Sequence, residues 1–232
     1  MKARARRPGK IIFVTGTDTG VGKTILTGLL VHHLRCEGVH ALAMKPFCSG
    51  GRGDVRLLRA MQDAALTEEE INPFYFPEPV APLVSARQRK RLISLSEVVQ
   101  RIKTIALRCE YLLVEGSGGL LVPLGEKYLV SDVIRRLNCD VIVVARNQLG
   151  TINHTLLTVN ALKRFCSKNI SVALVGTSKK DASVEKNGMV LRGFLGGVKV
   201  VEVDFLGKKA NEIEVLKKCV RKMKKTLAGI CA

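Results

Sequence analysis

Tryptophan is absent from the 232 residues, and aromatic side chains make up only 4% of them. No uninterrupted apolar run approaches the roughly 18 residues needed to cross a bilayer, so no transmembrane helix is expected. The seven cysteines (Cys36, Cys48, Cys109, Cys139, Cys166, Cys219 and Cys231) are odd in number, and no two are spaced as CxxC. That argues against a disulfide framework or a zinc site and fits reduced, mostly buried thiols. The basic N-terminus is not followed by a continuous apolar region, because VTGTDTG interrupts it, so no secretory signal is expected and a cytoplasmic location is. Internal repeats and linkers are missing too. With 47% hydrophobic and 25% charged residues, the composition excludes disorder, collagen and coiled coil.

Acidic residues are scarce: 20 Asp and Glu stand against 38 Lys and Arg, a formal net charge of +18. The excess is uneven. Residues 1–10 hold five bases and no acid, and residues 207–232 hold eight bases against two acids. Much of the charge is therefore terminal, which argues against a whole-surface nucleic-acid platform. No nucleic-acid or membrane partner is expected.

The apolar patterning is that of an α/β chain. Residues 11–15, 39–44, 111–115, 140–145, 171–175 and 198–203 read as strands, separated by segments of helical length. Residues 22–37 and 53–65 read as helices. Ser94 and Glu97 form a candidate capping box opening a helix to about residue 108. Residues 71–85, rich in proline, read as an ordered but irregular loop. The last segment reads as one amphipathic helix, with Ile213, Leu216, Val220, Met223, Leu227 and Ile230 on its apolar stripe and lysines over the rest. Lacking Trp and Phe in that stripe, it reads as a docked helix and not as a membrane-surface one. Apolar strands alternating with helices predict a doubly wound, mostly parallel sheet flanked by helices. The expected organisation is a basic extension over 1–10 and a single domain of P-loop NTPase type over 11–232.

Directly after the first strand, Gly16-Thr-Asp-Thr-Gly-Val-Gly22-Lys23-Thr24 opens the first helix. A glycine-rich turn between strand and helix is what a phosphate loop requires, since its N–H groups and the helix N-terminus cradle phosphate oxygens. Lys23 would reach the outer phosphates and the Thr24 hydroxyl would ligate Mg²⁺. Thr17 stands where the standard motif has its first glycine. Carboxylates for the metal are offered by Glu115, at the end of YLLVE, and by Asp54. Asp54 reads equally as an ordinary helix cap, and either as a solvated loop acid.

Several stretches together, VTGTDTGVGKT (14–24), MKPFCSG (44–50), NPFYFPEPVAP (72–82), LLVEGSGGLLVPL (112–124) and LGTINHTLLT (149–158), resemble the dethiobiotin synthetase family. The resemblance covers about residues 11–206. It implies a cytoplasmic homodimeric ligase of biotin synthesis acting on 7,8-diaminononanoate, CO₂ and ATP with Mg²⁺. One amine forms a carbamate, ATP phosphorylates it to a carbamic–phosphoric anhydride, and the second amine closes the ureido ring. It further implies that Thr19, Gly20, Val21, Gly22, Lys23 and Thr24 bind phosphate. Thr24, Asp54 and Glu115 would hold the metal, and Gly116, Ser117 and Gly118 would belong to the nucleotide site. Lys45 and Lys23 would be catalytic, and Ser49 would touch substrate. Gly150, Thr151 and Asn153 would receive the substrate carboxylate across a dimer interface. His154 reads as structural, because no proton transfer here needs it.

Two departures carry expectations. The Ser49–Asp54 segment is shorter than the family suggests, opening the substrate site or moving Asp54. Thr177 stands where members usually carry an adenine-reading Asn, and the later strand runs into Val203-Asp204-Phe205-Leu206. Relaxed base preference is expected from this, with several nucleoside triphosphates accepted. The competing readings are amide synthesis on another substrate and a partitioning or cell-division ATPase switch working on DNA or membrane. Basic charge favours the switch, but Asp18 stands where that group carries a signature lysine.

Overall fold

The computed structural model describes residues 8–166, 168–178 and 181–231. In chain order the first half comprises β1 (Lys10–Gly16), α1 (Lys23–Cys36), β2 (Ala41–Met44), β3 (Phe47–Ser49), α2 (Gly53–Met61), α3 (Glu68–Ile71), β4 (Phe74–Phe76), α4 (Pro82–Gln88), α5 (Leu95–Ala106) and β5 (Tyr111–Glu115). The second half comprises β6 (Pro123–Gly125), β7 (Tyr128–Leu129), α6 (Val130–Leu137), β8 (Asp140–Arg146), α7 (Thr151–Lys163), β9 (Ile170–Val175), α8 (Val184–Leu195), β10 (Lys199–Val203), α9 (Ile213–Lys222) and α10 (Lys224–Cys231).

Six strands form one sheet in the order β10-β9-β8-β1-β5-β2, and every pairing is parallel. Its central strands are unbroken apolar runs because helices cover the sheet on both faces. Register sets up the chemistry. Val14 lies opposite Glu115, Val114 opposite Met44 and Gly16 opposite Val144. The residues leaving β1, β2, β5 and β8 therefore emerge side by side at the carboxyl edge of the sheet. That edge, at the point where strand order reverses, is where open α/β sheets bind ligands.

The expected doubly wound parallel sheet is present, and each strand lies within two residues of its expected bounds. Ser94 caps α5 by accepting from the Glu97 N–H at 3.1 Å. Residues 71–85 differ from expectation. They are not irregular throughout: β4 pairs in parallel with β3, and Pro82 opens α4 at a first-turn position where its missing N–H costs nothing. Phe47 and Phe74 stack at 4.9 Å between ring centroids and Phe76 is fully buried, so aromatic packing orders a segment whose prolines suggest a loop.

The C-terminal segment also differs, being two helices broken at Met223. Its stripe is still continuous: Leu216, Val220, Met223, Leu227 and Ile230 are all buried. α9 packs on α1 and α2, while α10 packs on α1 and β10. The start of the chain differs by a residue as well. Lys10 belongs to β1 and pairs with Asp140 at 2.9 Å, and residues 1–7 of the expected basic extension lie outside the described residues. Cys48, Cys109 and Cys139 are buried free thiols, Cys166 and Cys219 are partly buried, and Cys36 is exposed. Among the described residues no helix is long and apolar enough to cross a membrane.

Candidate active site

The phosphate loop closes tightly around Lys23. Gly22 caps α1 with φ of +104°, a left-handed conformation that glycine adopts without penalty. A Cβ at Gly16 would lie 3.0 Å from Lys23 Nζ, so a side chain there would press on the ammonium. Lys23 is 6% exposed and donates to the Asp18 carbonyl at 2.7 Å. Burial pulls its pKa down to about 8; Glu115 opposes the shift and the Lys45 charge adds to it.

The neighbouring strands supply the rest. Lys45, one residue past β2, donates to Glu115 Oε1 at 2.7 Å and also to Asp54 Oδ2. Burial alone would lower the Lys45 pKa, but Glu115 and Asp54 outweigh it and hold the ammonium charged. Thr24 Oγ1 donates to the same Glu115 Oε1 at 2.7 Å. Among the described residues Glu115 Oε2 and Ser49 Oγ are buried with no hydrogen-bond partner. Asp54 lies in the first turn of α2, behind Arg52 at the cap position. Its carboxylate is therefore turned to Lys45 instead of capping the helix.

Thr19, Gly20, Gly22, Lys23, Thr24, Lys45, Asp54, Glu115 and Gly118 meet in one cleft of about 860 Å³. A second cavity of about 710 Å³ shares Gly20 and Gly22 with it and runs past Val21, Arg146 and Thr177 to Phe205. Gly116 and Ser117 line neither cavity: Gly116 packs against the Phe13 ring, and Ser117 Oγ donates to the Phe47 carbonyl at 2.8 Å. Gly150, Thr151 and Asn153 open α7, with Gly150 capping it, but line neither cavity of the same chain. Ser49 does not line the cleft either.

Asn72 is a participant that sequence reasoning left without a role. Its Nδ2 donates to the carbonyls of Lys45 at 2.9 Å and Pro46 at 3.1 Å, and Lys45 N–H donates to the Ile71 carbonyl at 2.9 Å. The only signal was its place at the head of NPFYFPEPVAP.

Two carboxylates and a hydroxyl converge, and among the described residues no three His, Cys, Asp or Glu side chains form a metal-sized group. That donor set fits Mg²⁺, which takes one or two carboxylates and fills its shell with phosphate and water. The unpartnered Glu115 Oε2 is a further oxygen available to a cation.

A family model described as an AAA domain matches residues 10–212. The chain is 42% identical over 193 residues to the ATP-dependent dethiobiotin synthetase BioD of Bacillus licheniformis, covering 81% of this chain and 82% of that one. It is 39% identical over 196 residues to the protein of that name from Bacillus subtilis strain 168, covering 82% and 85%. Among solved structures, the septum site-determining protein MinD complexed with Mg-ADP from Pyrococcus horikoshii has a TM-score of 0.59 at 15% identity, covering 97% of this chain and 99% of that one. A putative plasmid partition protein of Borrelia burgdorferi bound to AMPPNP has a TM-score of 0.60 at 11% identity, with 96% and 98% covered. At those identities the structures share the fold and nothing finer.

Proposed function

Because the chain belongs to the ATP-dependent dethiobiotin synthetase family, we propose that the cleft between the phosphate loop, Lys45 and Glu115 is where its chemistry takes place. The protein is an ATP-dependent ligase of biotin biosynthesis, closing the ureido ring of dethiobiotin on 7,8-diaminononanoate. The observation that carries the site assignment is the convergence of Lys23, Thr24, Lys45, Asp54 and Glu115 from four separate elements.

In the proposed mechanism one amine of the diamine bonds to CO₂ and loses a proton, giving a carbamate. A carbamate oxygen attacks the γ-phosphorus of ATP and ADP leaves. The second amine then attacks the carbamoyl carbon and gives up a proton to water, the C–O bond breaks, phosphate leaves, and the ring closes. Bringing carbamate and triphosphate together opposes two anions, so the site must hold fixed positive charge. Lys23, buried in the phosphate loop, lies against the outer phosphates, and Lys45 faces the carbamate. Both act by position and charge and form no bond to substrate. Thr24, Asp54 and Glu115 would hold Mg²⁺, which when bound offsets phosphate charge. Ser49 would touch substrate, although its unpartnered hydroxyl is buried and outside the lining of the cleft.

The remaining assignments are of the same kind. Gly150, Thr151 and Asn153 would take the substrate carboxylate at the N-terminus of α7, where the Thr151 N–H already donates to the Gln148 carbonyl at 3.1 Å. As they line neither cavity of their own chain, that role asks for a homodimer in which α7 serves the other copy's site. Thr177, whose hydroxyl both donates and accepts, supports the relaxed base preference. A cytoplasmic location, with no nucleic-acid or membrane partner, completes the reading.

The test is incubation with diaminononanoate, bicarbonate and MgATP, with dethiobiotin detected by mass spectrometry. Folded protein that yields no product overturns the assignment.

A further inference from the structure

Arg146 is the last residue of β8 and the exposed end of an otherwise buried strand. Gly16 lies opposite Val144, and Thr17 N–H donates to the Val144 carbonyl at 3.0 Å, so the backbone delivers Arg146 alongside the phosphate loop. Its guanidinium reaches across and donates from Nη2 to the Gly20 carbonyl. A Cβ on Gly20 would stand 3.4 Å from that same nitrogen. Arg146 also lines the 710 Å³ cavity, on the wall it shares with Gly20, Val21 and Gly22.

A guanidinium carries five N–H donors and stays charged at every relevant pH. Among the described residues only the bond to Gly20 is formed, and no carboxylate pairs with Arg146. Some exposed arginines are paired, as Arg87 is with Glu126 and Arg89 with Glu78, and among the described residues others such as Arg59 and Arg101 are not; Arg146 differs from these in lying against the phosphate loop. The guanidinium is thus held against the phosphate loop with donors left over, on the wall of the second cavity where that cavity meets the cleft at Gly20 and Gly22.

We propose that Arg146 is a nucleotide-binding residue whose guanidinium grips the triphosphate from the β8 side, opposite Lys23 and Lys45. The grip is on phosphate and not on the base, so it acts alike on every nucleoside triphosphate. The inference rests on the nucleotide reading of the cleft, and it adds a third fixed cation to that site.

The test measures MgATP, MgCTP and MgGTP binding by calorimetry, without diamine, in the wild-type protein, Arg146→Gln and Arg146→Lys. Gln keeps an N–H donor without charge, and Lys keeps the charge without the planar fork. Arg146→Gln is expected to weaken all the nucleotides that the wild type binds by a common factor of about tenfold or more, as for a lost charged hydrogen bond. Arg146→Lys should lose less. Inorganic tripolyphosphate, titrated directly, should bind Arg146→Gln more weakly than wild type by the same factor as the nucleotides. With diamine and bicarbonate present, KM for ATP should rise in Arg146→Gln. Binding by Arg146→Gln within twofold of wild type overturns the proposal. So does an equal loss in both variants with a lowered Tm, which would mean a role in holding the loop alone. A loss that differs between bases overturns it in favour of base stacking. Nucleotide binding is read apart from turnover, so wild-type protein that binds MgATP but forms no dethiobiotin strikes the reaction and leaves this test intact.

Discussion

The Lys45 ammonium stands 2.7 Å from Glu115 Oε1 and also touches Asp54, filling the space between the two carboxylates assigned to the metal. The pair is fixed by strand register: Met44 lies opposite Val114, and the next residue along each strand is Lys45 or Glu115. The Glu115 side chain is fully buried and its charge is met by the Lys45 ammonium.

Lys45→Ala should therefore destabilise the nucleotide-free protein by about 3 kcal/mol, because it leaves a buried carboxylate without its counter-charge. Millimolar Mg²⁺ should recover part of the lost Tm in the variant and shift wild type less, since only the variant leaves the space open. The same change should lower kcat by roughly 100-fold if Lys45 stabilises the transferring group. Calorimetric melts with and without MgCl₂ check the first claim and steady-state kinetics the second. A variant with near-normal turnover removes Lys45 from the catalytic set.

Lys23 makes nucleotide binding sensitive to pH. Its pKa in the free protein is about 8, lowered from the usual 10.5 by burial. Triphosphate favours the charged form, so above pH 8 a proton must be taken up on binding. The Kd for MgATP should rise about fivefold between pH 8 and pH 9, and Lys23→Arg should flatten that rise. Folding has the opposite sign. Between pH 8 and 10.5 the unfolded chain holds the proton and the folded one does not, so Lys23 adds stability as pH rises through that window. Fluorescent-nucleotide titrations and urea melts at matched ionic strength read the two effects.

Thiol chemistry gives a check that is independent of the site. Burial raises Cys139 to about 12 and Cys109 to about 11, while Cys36 is exposed. A maleimide at pH 7.5 should modify Cys36 within minutes and reach Cys109 and Cys139 only in denaturant. Peptide mapping by mass spectrometry reads the order, and early labelling of Cys139 would contradict its burial just ahead of β8.

The central strands were readable because a parallel strand buried on both faces is a continuous apolar run between turns, as IIFVT and YLLVE are. The phosphate loop was readable because its glycines, Lys23 and Thr24 are adjacent in sequence. What could not be read depends on partners far along the chain. Prolines in residues 71–85 suggest irregularity, and only the packing of Phe74 on Phe47 turns that segment into a strand. Met223 carries the apolar period of one long helix, yet its backbone at φ −102° and ψ 15° leaves the helix there. Motif reading likewise grouped Gly116 and Ser117 with Gly118, though only Gly118 faces the cleft. The hydroxyl of Ser117 is already committed to Phe47.

Asn72 joins the overlooked segment to the chemistry. Its amide nitrogen ties down the carbonyls of Lys45 and Pro46, and the backbone of Lys45 bonds to Ile71. Asn72→Ala removes the side-chain donor to the Lys45 carbonyl and leaves the Pro46 carbonyl to the Phe74 N–H alone, and should cost about 1–3 kcal/mol of stability. The functional effect should be selective. Lys45 loses one of its two backbone anchors, keeping the bond to the Ile71 carbonyl, while the phosphate loop, carried on β1 and α1, is untouched. Turnover should drop several-fold or more, with the Kd for MgATP within about twofold of wild type, since a small misplacement of a catalytic group lowers rate more than binding. Asn72→Asp is the sharper variant: it keeps the shape but sets an acceptor against two carbonyls, so it should be worse than Ala in both Tm and kcat. If Asn72→Asp is as active and stable as wild type, the amide is not what holds Lys45.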